Sequence, residues 1–293
     1  MPSLEINGFP LEYTLEGQAE PAETVVLIHG ELASTEFWDA TVSELAHRYR
    51  LLRPSRIPRS DANAETHALE VIALLEHLGV SSYHLVGHSG GGLIALRTAA
   101  LMPKSCLTLT LADTYAKLDA TLEVKISSVL AALQAGGPEL AARVALPWLW
   151  GSYTLENSDR MTATLARASQ ASVDVIRVSL QGVLESGDQR KWLRALECPT
   201  LVVVGSDDNL TPLRYSHEIV EWVRSGLGVL ITITGGGHNA PLERPEEWTR
   251  ILAGFLERHK EFVAGPSDWD PDEDSPEDDG AEFQDYGDLE SLR

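Results

Sequence analysis

The chain has 293 residues, 43% hydrophobic and 23% charged, a globular composition long enough for one large domain or two small ones, which excludes disorder throughout. Its 23 lysines and arginines stand against 44 aspartates and glutamates, a formal net charge of -21 that a phosphate-rich partner would have to overcome, so nucleic acid is excluded. Twelve of those acids lie between Asp268 and Arg293 against one base, which leaves that segment at -11 and the body of the chain at -10.

Leu4 to Ile6 and Leu11 to Leu15 alternate apolar with polar residues around Asn7-Gly8, a pair suited to the positive φ angles of a tight turn, and predict an opening antiparallel hairpin. Thr24 to Ile28 is a continuous apolar run ending in His29-Gly30, as expected of a strand buried on both faces of a parallel sheet. A helix at Thr35 to His47, a strand at Tyr49 to Arg53 and an amphipathic helix at Glu65 to Leu78 follow, before a second buried strand at Tyr83 to Val86. This alternation predicts an open, mostly parallel α/β sheet with its functional loops at the carboxyl ends of the strands.

From about Tyr115 to Leu196 the pattern turns helical, with segments at Leu122 to Gln134, Glu139 to Val144, Asp159 to Gln170 and Val173 to Glu185, broken by Gly136-Gly137-Pro138 and by Pro147. The sheet pattern resumes at Thr200 to Val204, then a helix at Leu213 to Arg224, a strand at Val229 to Ile233 and a last helix at Pro245 to Phe262. The expected organisation is a core of residues 1–114 and 198–265, a helical lid inserted at 115–197, and an acidic, proline-containing disordered tail at 266–293. Within the tail, Asp268, Asp270, Asp272 and Asp274 begin like a calcium loop, but Pro271, Pro276 and the lack of glycine at the sixth position argue for a solvated charge run, and no metal is expected.

Cys106 and Cys198 are too few for a disulfide framework and read as buried free thiols. Met1 to Gly17 lacks the features of a secretory signal, and the most apolar stretch, Gly92 to Met102, is interrupted by Arg97. A cytoplasmic protein without a membrane span is therefore expected.

Chemistry concentrates at Gly87-His88-Ser89-Gly90-Gly91, where a buried strand runs into a helix through G-x-S-x-G. A serine at the apex of such a turn sits in strained backbone, tolerable when Gly87 and Gly91 lack side chains, and the helix start aims the Gly90 N–H at an oxyanion. Serine is a weak nucleophile without a base oriented by a third group. Two aspartates, Asp207 and Asp208, follow the Thr200 to Val204 strand, and His238 follows the Val229 to Ile233 strand, which gives the chain order Ser, Asp, His.

Over residues 4 to 262 these features resemble the α/β-hydrolase superfamily. His29-Gly30 with Trp38 is similar to its oxyanion loop, His88-Ser89-Gly90 to its nucleophile elbow, Gly205-x-x-Asp208-x-x-x-Pro212 to its acid turn and Gly237-His238 to its histidine loop. The resemblance implies a catalytic triad of Ser89, Asp208 (rather than Asp207) and His238. It also implies an oxyanion hole made by the backbone N–H groups of Glu31 and Gly90, and structural roles for His29 and His88. A carboxylate beside an oxyanion hole would repel the developing charge, so the Glu31 side chain is expected either to face solvent or to recognise substrate.

The segment Pro54 to Asp61 lacks the Asp-x-x-Gly-x-Gly-x-Ser turn of many relatives and implies a remodelled pocket wall. Trp148, Trp150 and Trp192 either line an acyl pocket or form the lid's own core, with Trp148 and Trp150 the substrate-binding candidates. His67, His77, His217 and His259, on helices among polar residues, are expected to be solvated.

Serine at the elbow implies acyl chemistry rather than displacement at sp³ carbon. The expectation is thus a cofactor-independent serine hydrolase of a small ester or lactone, looking like the carboxylesterase and enol-lactonase branch. The same triad also serves carbon–carbon bond hydrolysis and acyl transfer, and the same fold serves small-molecule receptors and signalling partners, for which slow or absent turnover is the discriminating sign. An acidic tail could contact a protein partner under either reading, though a solubilising tail is the simpler expectation.

Overall fold

Ser3–Ile6 (β1) and Phe9–Gly17 (β2) pair antiparallel with Ile6 opposite Phe9, and Gly8 turns the chain at φ 80. The computed structural model describes residues 1–261 apart from 7, 19–21, 57, 58 and 60–62, so the expected roles of Asn7, of much of the 54–61 segment and of the acidic tail lie outside the described residues. The remaining strands are Thr24–Ile28 (β3), Arg50–Pro54 (β4), Tyr83–His88 (β5), Cys106–Ala112 (β6), Thr200–Gly205 (β7) and Gly228–Ile233 (β8).

They form one eight-stranded sheet in the order β1-β2-β4-β3-β5-β6-β7-β8, parallel from β4 to β8 and antiparallel where β2 meets β1 and β4. Every residue of β3, β5 and β7 is buried, because helices cover both faces and leave no side on which a polar residue would meet water. β6, which the sequence marks only as an apolar run beside Cys106, completes the centre of the sheet.

One face is covered by Ala64–His77 (α2) and Gly90–Leu101 (α3), with later helices joining the same core; the other is covered by Asp39–Leu45 (α1) and the last helix, Pro245–Glu257. α2 starts where Asn63 places its side-chain oxygen on the free N–H groups of Glu65 and Thr66, as a good N-cap does.

The stretch between β6 and β7 is helical: Ala120–Leu149 (α4), Ser152–Leu155 (α5), Ser158–Ala168 (α6), Val173–Leu184 (α7) and Arg190–Arg194 (α8). α4 is kinked at Gly136 and Gly137, the latter at φ 74, but Pro147 does not end it as expected. Pro147 lies in the last turn, where a missing N–H forfeits a single intrahelical bond. Leu122, Ile126, Val129 and Leu133 of α4 pack with Ile176, Leu180 and Val183 of α7 onto Leu93 and Tyr115, at the carboxyl end of the sheet.

Leu213–Trp222 (α9) and Ala240–Glu243 (α10) complete the chain, with Pro245–Glu257 as α11. Among the described residues no helix is long and apolar enough to cross a membrane.

Candidate active site

The chain leaves β3 toward β4 on one side and returns to β5 on the other, so the carboxyl ends of β3 and β5 diverge at a switch point, where open α/β sheets form their ligand crevices. Ser89 stands there between β5 and α3 at φ 52, ψ -126, a strained conformation for a residue with a side chain. Its surroundings enforce the turn. A methyl group on Gly87 would lie 2.3 Å from the Gly91 carbonyl oxygen, and one on Gly91 would lie 2.4 Å from the carbonyl oxygens of Ile28 and His29. Glycine is required at both positions because the opposing atoms are backbone.

His238 follows β8 and is 2% exposed; its Nε2 lies 3.0 Å from Ser89 Oγ and its Nδ1 3.0 Å from Asp208 Oδ2. Asp208 Oδ1 accepts the N–H groups of Leu210 (2.8 Å) and Thr211 (2.9 Å), and Oδ2 also accepts the Thr211 hydroxyl (2.8 Å). Burial opposes ionisation of Asp208, but the adjacent His238 and these hydrogen bonds outweigh it and hold the carboxyl below the ordinary range. Asp207 points elsewhere: its carboxylate accepts from the Ser152 N–H and the Ser206 hydroxyl. The structure thus brings Ser89, His238 and Asp208 into one relay and leaves Asp207 outside it.

His88 is not part of that relay. Its ring stacks on Phe37 and its Nε2–H donates to the His238 carbonyl oxygen at 2.7 Å, which anchors the histidine loop, while burial lowers its pKa to about 3. Burial likewise lowers His29 to about 4, with its Nδ1 2.9 Å from the Gly30 carbonyl oxygen.

Two buried carboxylates have no counterpart in the sequence reading. Asp113, at the end of β6 and at φ 47, accepts the N–H groups of Gly205 and Ala240 and so ties the acid and histidine loops together. Burial first, and then the negative charge of Asp208, push it well above the usual carboxylate range. Glu243 accepts from Gly151 N–H, the Thr154 hydroxyl and Gly237 N–H, which joins the helical segment to the histidine loop. For Asp113 a signal existed, a carboxylate directly after an apolar strand-like run; for Glu243 none did.

The Glu31 side chain does not extend into solvent but turns along the wall of the site, 16% exposed. Its Oε2 accepts the Gly90 N–H at 3.0 Å, its carboxylate also meets its own backbone N–H, and its Oε1 accepts both terminal nitrogens of Arg56 at 3.0 Å. Burial works against that charge, yet Arg56 and the two backbone N–H groups hold Glu31 below its ordinary pKa. One expected oxyanion donor, the Gly90 N–H, is therefore taken up by a carboxylate of the chain itself.

Beside them runs a cleft lined by Glu31, Arg56, Arg59, His67, Gly90 and Tyr115, among others. Trp148 and Trp150 are not in its lining: Trp148 packs into the α4–α7 core, and Trp150 is buried with Arg160 stacked on it at 4.9 Å. Trp192 is likewise covered by Arg97 at 3.9 Å. His67, expected in solvent, is buried at 7% exposure, because Glu70 one helical turn on accepts at 2.8 Å. Among the described residues no group of three or more His, Cys, Asp or Glu side chains is placed to hold a metal ion.

With this geometry in view, residues 25–251 match the family model described as the alpha/beta hydrolase family. The chain belongs to the alpha/beta hydrolase family. Curated relatives of this hydrolase include proteins named "Putative carbamate hydrolase RutD". The one from a Caulobacter species is 28% identical over 82% of this chain and 92% of its own, and the one from Stutzerimonas stutzeri is 25% identical over 84% and 96%. Among solved structures, a thermophilic esterase from Thermogutta terrifontis has a TM-score of 0.76 at 24% identity (88% of this chain, 98% of its own). The enol-lactonase from Burkholderia xenovorans has 0.77 at 20% (87% and 100%). At these identities the two structures speak for the fold.

Proposed function

We propose that this hydrolase cleaves a small carboxylic ester or lactone through an acyl-enzyme on Ser89. The observation that carries the reading is the unbroken relay from the Ser89 hydroxyl through His238 to the buried, ionised Asp208, each link 3.0 Å long. In this cycle Ser89 Oγ attacks the carbonyl carbon while its proton passes to His238 Nε2, and Asp208 steadies the imidazolium through Nδ1–H. The oxyanion is held by the N–H groups of Gly90 and Glu31. His238 then protonates the leaving alcohol oxygen, and water, activated by the same histidine, releases the acid. No cofactor enters any of these steps, and residues 115–197 act as the lid.

The names of the curated relatives favour a second acyl class, carbamates, which the same serine attacks at the same carbonyl. The test is fluorophosphonate labelling with peptide mapping, followed by a screen of esters, lactones and carbamates. Stoichiometric labelling at Ser89 that disappears in His238→Ala is the expected result. A folded protein that never labels and turns over none of the three classes would refute the reading in favour of a receptor on the same fold.

A further inference from the structure

The feature that the proposed cycle leaves unexplained is the Glu31 carboxylate on the Gly90 N–H, a donor that the cycle needs. The contact is close: a methyl group on Gly90 would lie 1.8 Å from Glu31 Oε1. The side chains of Glu31 and Arg56 are only 16% and 11% exposed, so this is a largely desolvated ion pair rather than a surface one. Removing one partner of such a pair strands the other charge.

The cleft also keeps a charge balance. Arg59 pairs with Glu70 at 2.7 Å, and Glu31 answers Arg56; withdrawal of Glu31 leaves the lining one positive charge in excess, on Arg56. The loop has a joint for that withdrawal: Leu32, directly after Glu31, is 53% exposed and held at φ 59, where a leucine is strained.

Resting on the serine-hydrolase reading, we propose that Glu31 closes the oxyanion hole, and that an anionic group on the substrate opens it by taking Glu31's place on Arg56. Two consequences define the substrate class. A neutral acyl compound must leave Arg56 unpaired in order to admit its carbonyl to the hole, whereas a compound carrying its own carboxylate restores the pair as it enters. The enzyme therefore selects carboxylate-bearing esters or lactones, and Arg56 is the residue that determines this. The proton and acyl transfers are those already described; no further reactant is required.

The test uses the full chain as wild type, Glu31→Ala, Glu31→Gln and Arg56→Met, each checked for fold by circular dichroism. One readout is the rate of fluorophosphonate labelling at Ser89; the other is kcat/KM on two nitrophenyl esters of equal acyl length, one neutral and one ending in a carboxylate. Labelling and neutral-ester turnover should rise at least 10-fold in Glu31→Ala, with Glu31→Gln intermediate. Wild type should prefer the carboxylate ester at least 10-fold, and Arg56→Met should lose that preference.

Equal labelling rates in wild type and Glu31→Ala would overturn the closure. A wild-type preference for the neutral ester, or a preference that survives Arg56→Met, would overturn the role of Arg56. If no folded variant, Glu31→Ala included, labels or turns over either ester, the serine-hydrolase reading fails and this inference falls with it.

Discussion

Asp208→Asn is the sharpest perturbation of the relay, because the carboxylate makes four hydrogen bonds in which it can only accept. Oδ1 serves two backbone N–H groups, and Oδ2 serves His238 and the Thr211 hydroxyl. An amide supplies one accepting oxygen and one donating nitrogen. If its nitrogen faced Leu210 and Thr211, two buried N–H groups would lose their acceptor at about 1–3 kcal/mol each. The oxygen therefore stays with the backbone, and the NH2 turns to His238 Nδ1. The histidine must then accept at Nδ1 and carry its proton on Nε2, where it can no longer take one from Ser89. Loss of a buried charge-assisted bond to the imidazolium adds about 1.5–3 kcal/mol. That bond alone is worth about 10- to 200-fold in rate, and the wrong tautomer takes the expected loss toward about 10⁴ in kcat, the scale known for the equivalent change in a serine protease. Asp207→Asn loses nothing comparable, since the half-buried side chain accepts at 3.3 and 3.0 Å and an amide oxygen serves either contact, so a change below about 5-fold is expected. The assay is steady-state hydrolysis of whichever substrate the screen identifies, with unfolding curves to confirm that both variants fold. Equal losses at the two aspartates would refute the assignment.

Gly91→Ala places a methyl group 2.4 Å from two backbone oxygens of the β3 end and should cost about 3 kcal/mol of stability or more, whereas Gly182→Ala, in α7 with nothing within 4 Å, should be neutral or stabilise by up to about 1 kcal/mol; urea unfolding measures both. Acidification should destabilise the fold between pH 6.5 and about 4. In that window the unfolded chain protonates the histidines that the fold keeps neutral, His29 (pKa about 4) and His88 (about 3), so the slope is positive and the histidine contribution is complete only above 6.5. Asp113 has the opposite sign, because its pKa is raised in the fold and the native state holds a proton that the unfolded state has shed. Each histidine contributes a loss of up to about 1.4 kcal/mol per pH unit on acidification, and Asp113 offsets part of it. Asp113 sets a second limb, on which stability falls as pH rises through its folded pKa, joined at alkaline pH by Cys106 and the buried tyrosines Tyr83 and Tyr115, whose pKa values burial also raises. Asp113→Asn should flatten that alkaline limb in unfolding titrations, and an unchanged limb would show that Asp113 is ionised in the fold.

The parts of this molecule that were legible in its sequence are those governed by short-range sterics. A strand that turns into a helix around a side chain needs Gly87 and Gly91, and five adjacent residues state that requirement; uninterrupted apolar runs place β3, β5 and β7 in the middle of a parallel sheet for a similarly local reason. Side-chain direction is another matter. His67 reads as solvated beside polar neighbours, yet Glu70 one turn on lets it be buried, and the tryptophans read equally as pocket lining or lid core until Arg160 and Arg97 are found covering two of them. Pro147 reads as a helix end, but its place in the final turn makes it tolerable.

Glu31 lies furthest from what local rules convey. Its carboxylate is stable where it is only because Arg56, 25 residues later and on the far side of β4, reaches the same point, and nothing in the spacing of the two residues announces that meeting. The segment that carries Arg56 is also the one that departs from the glycine-rich turn of many relatives. Both departures, an acid at the oxyanion position and an arginine in place of that turn, are costly alone: one puts an anion where an oxyanion must form, and the other buries a cation. Together they neutralise each other. A sequence that breaks two local rules in compensating positions beside its nucleophile breaks them where function, rather than folding, sets the choice of residue.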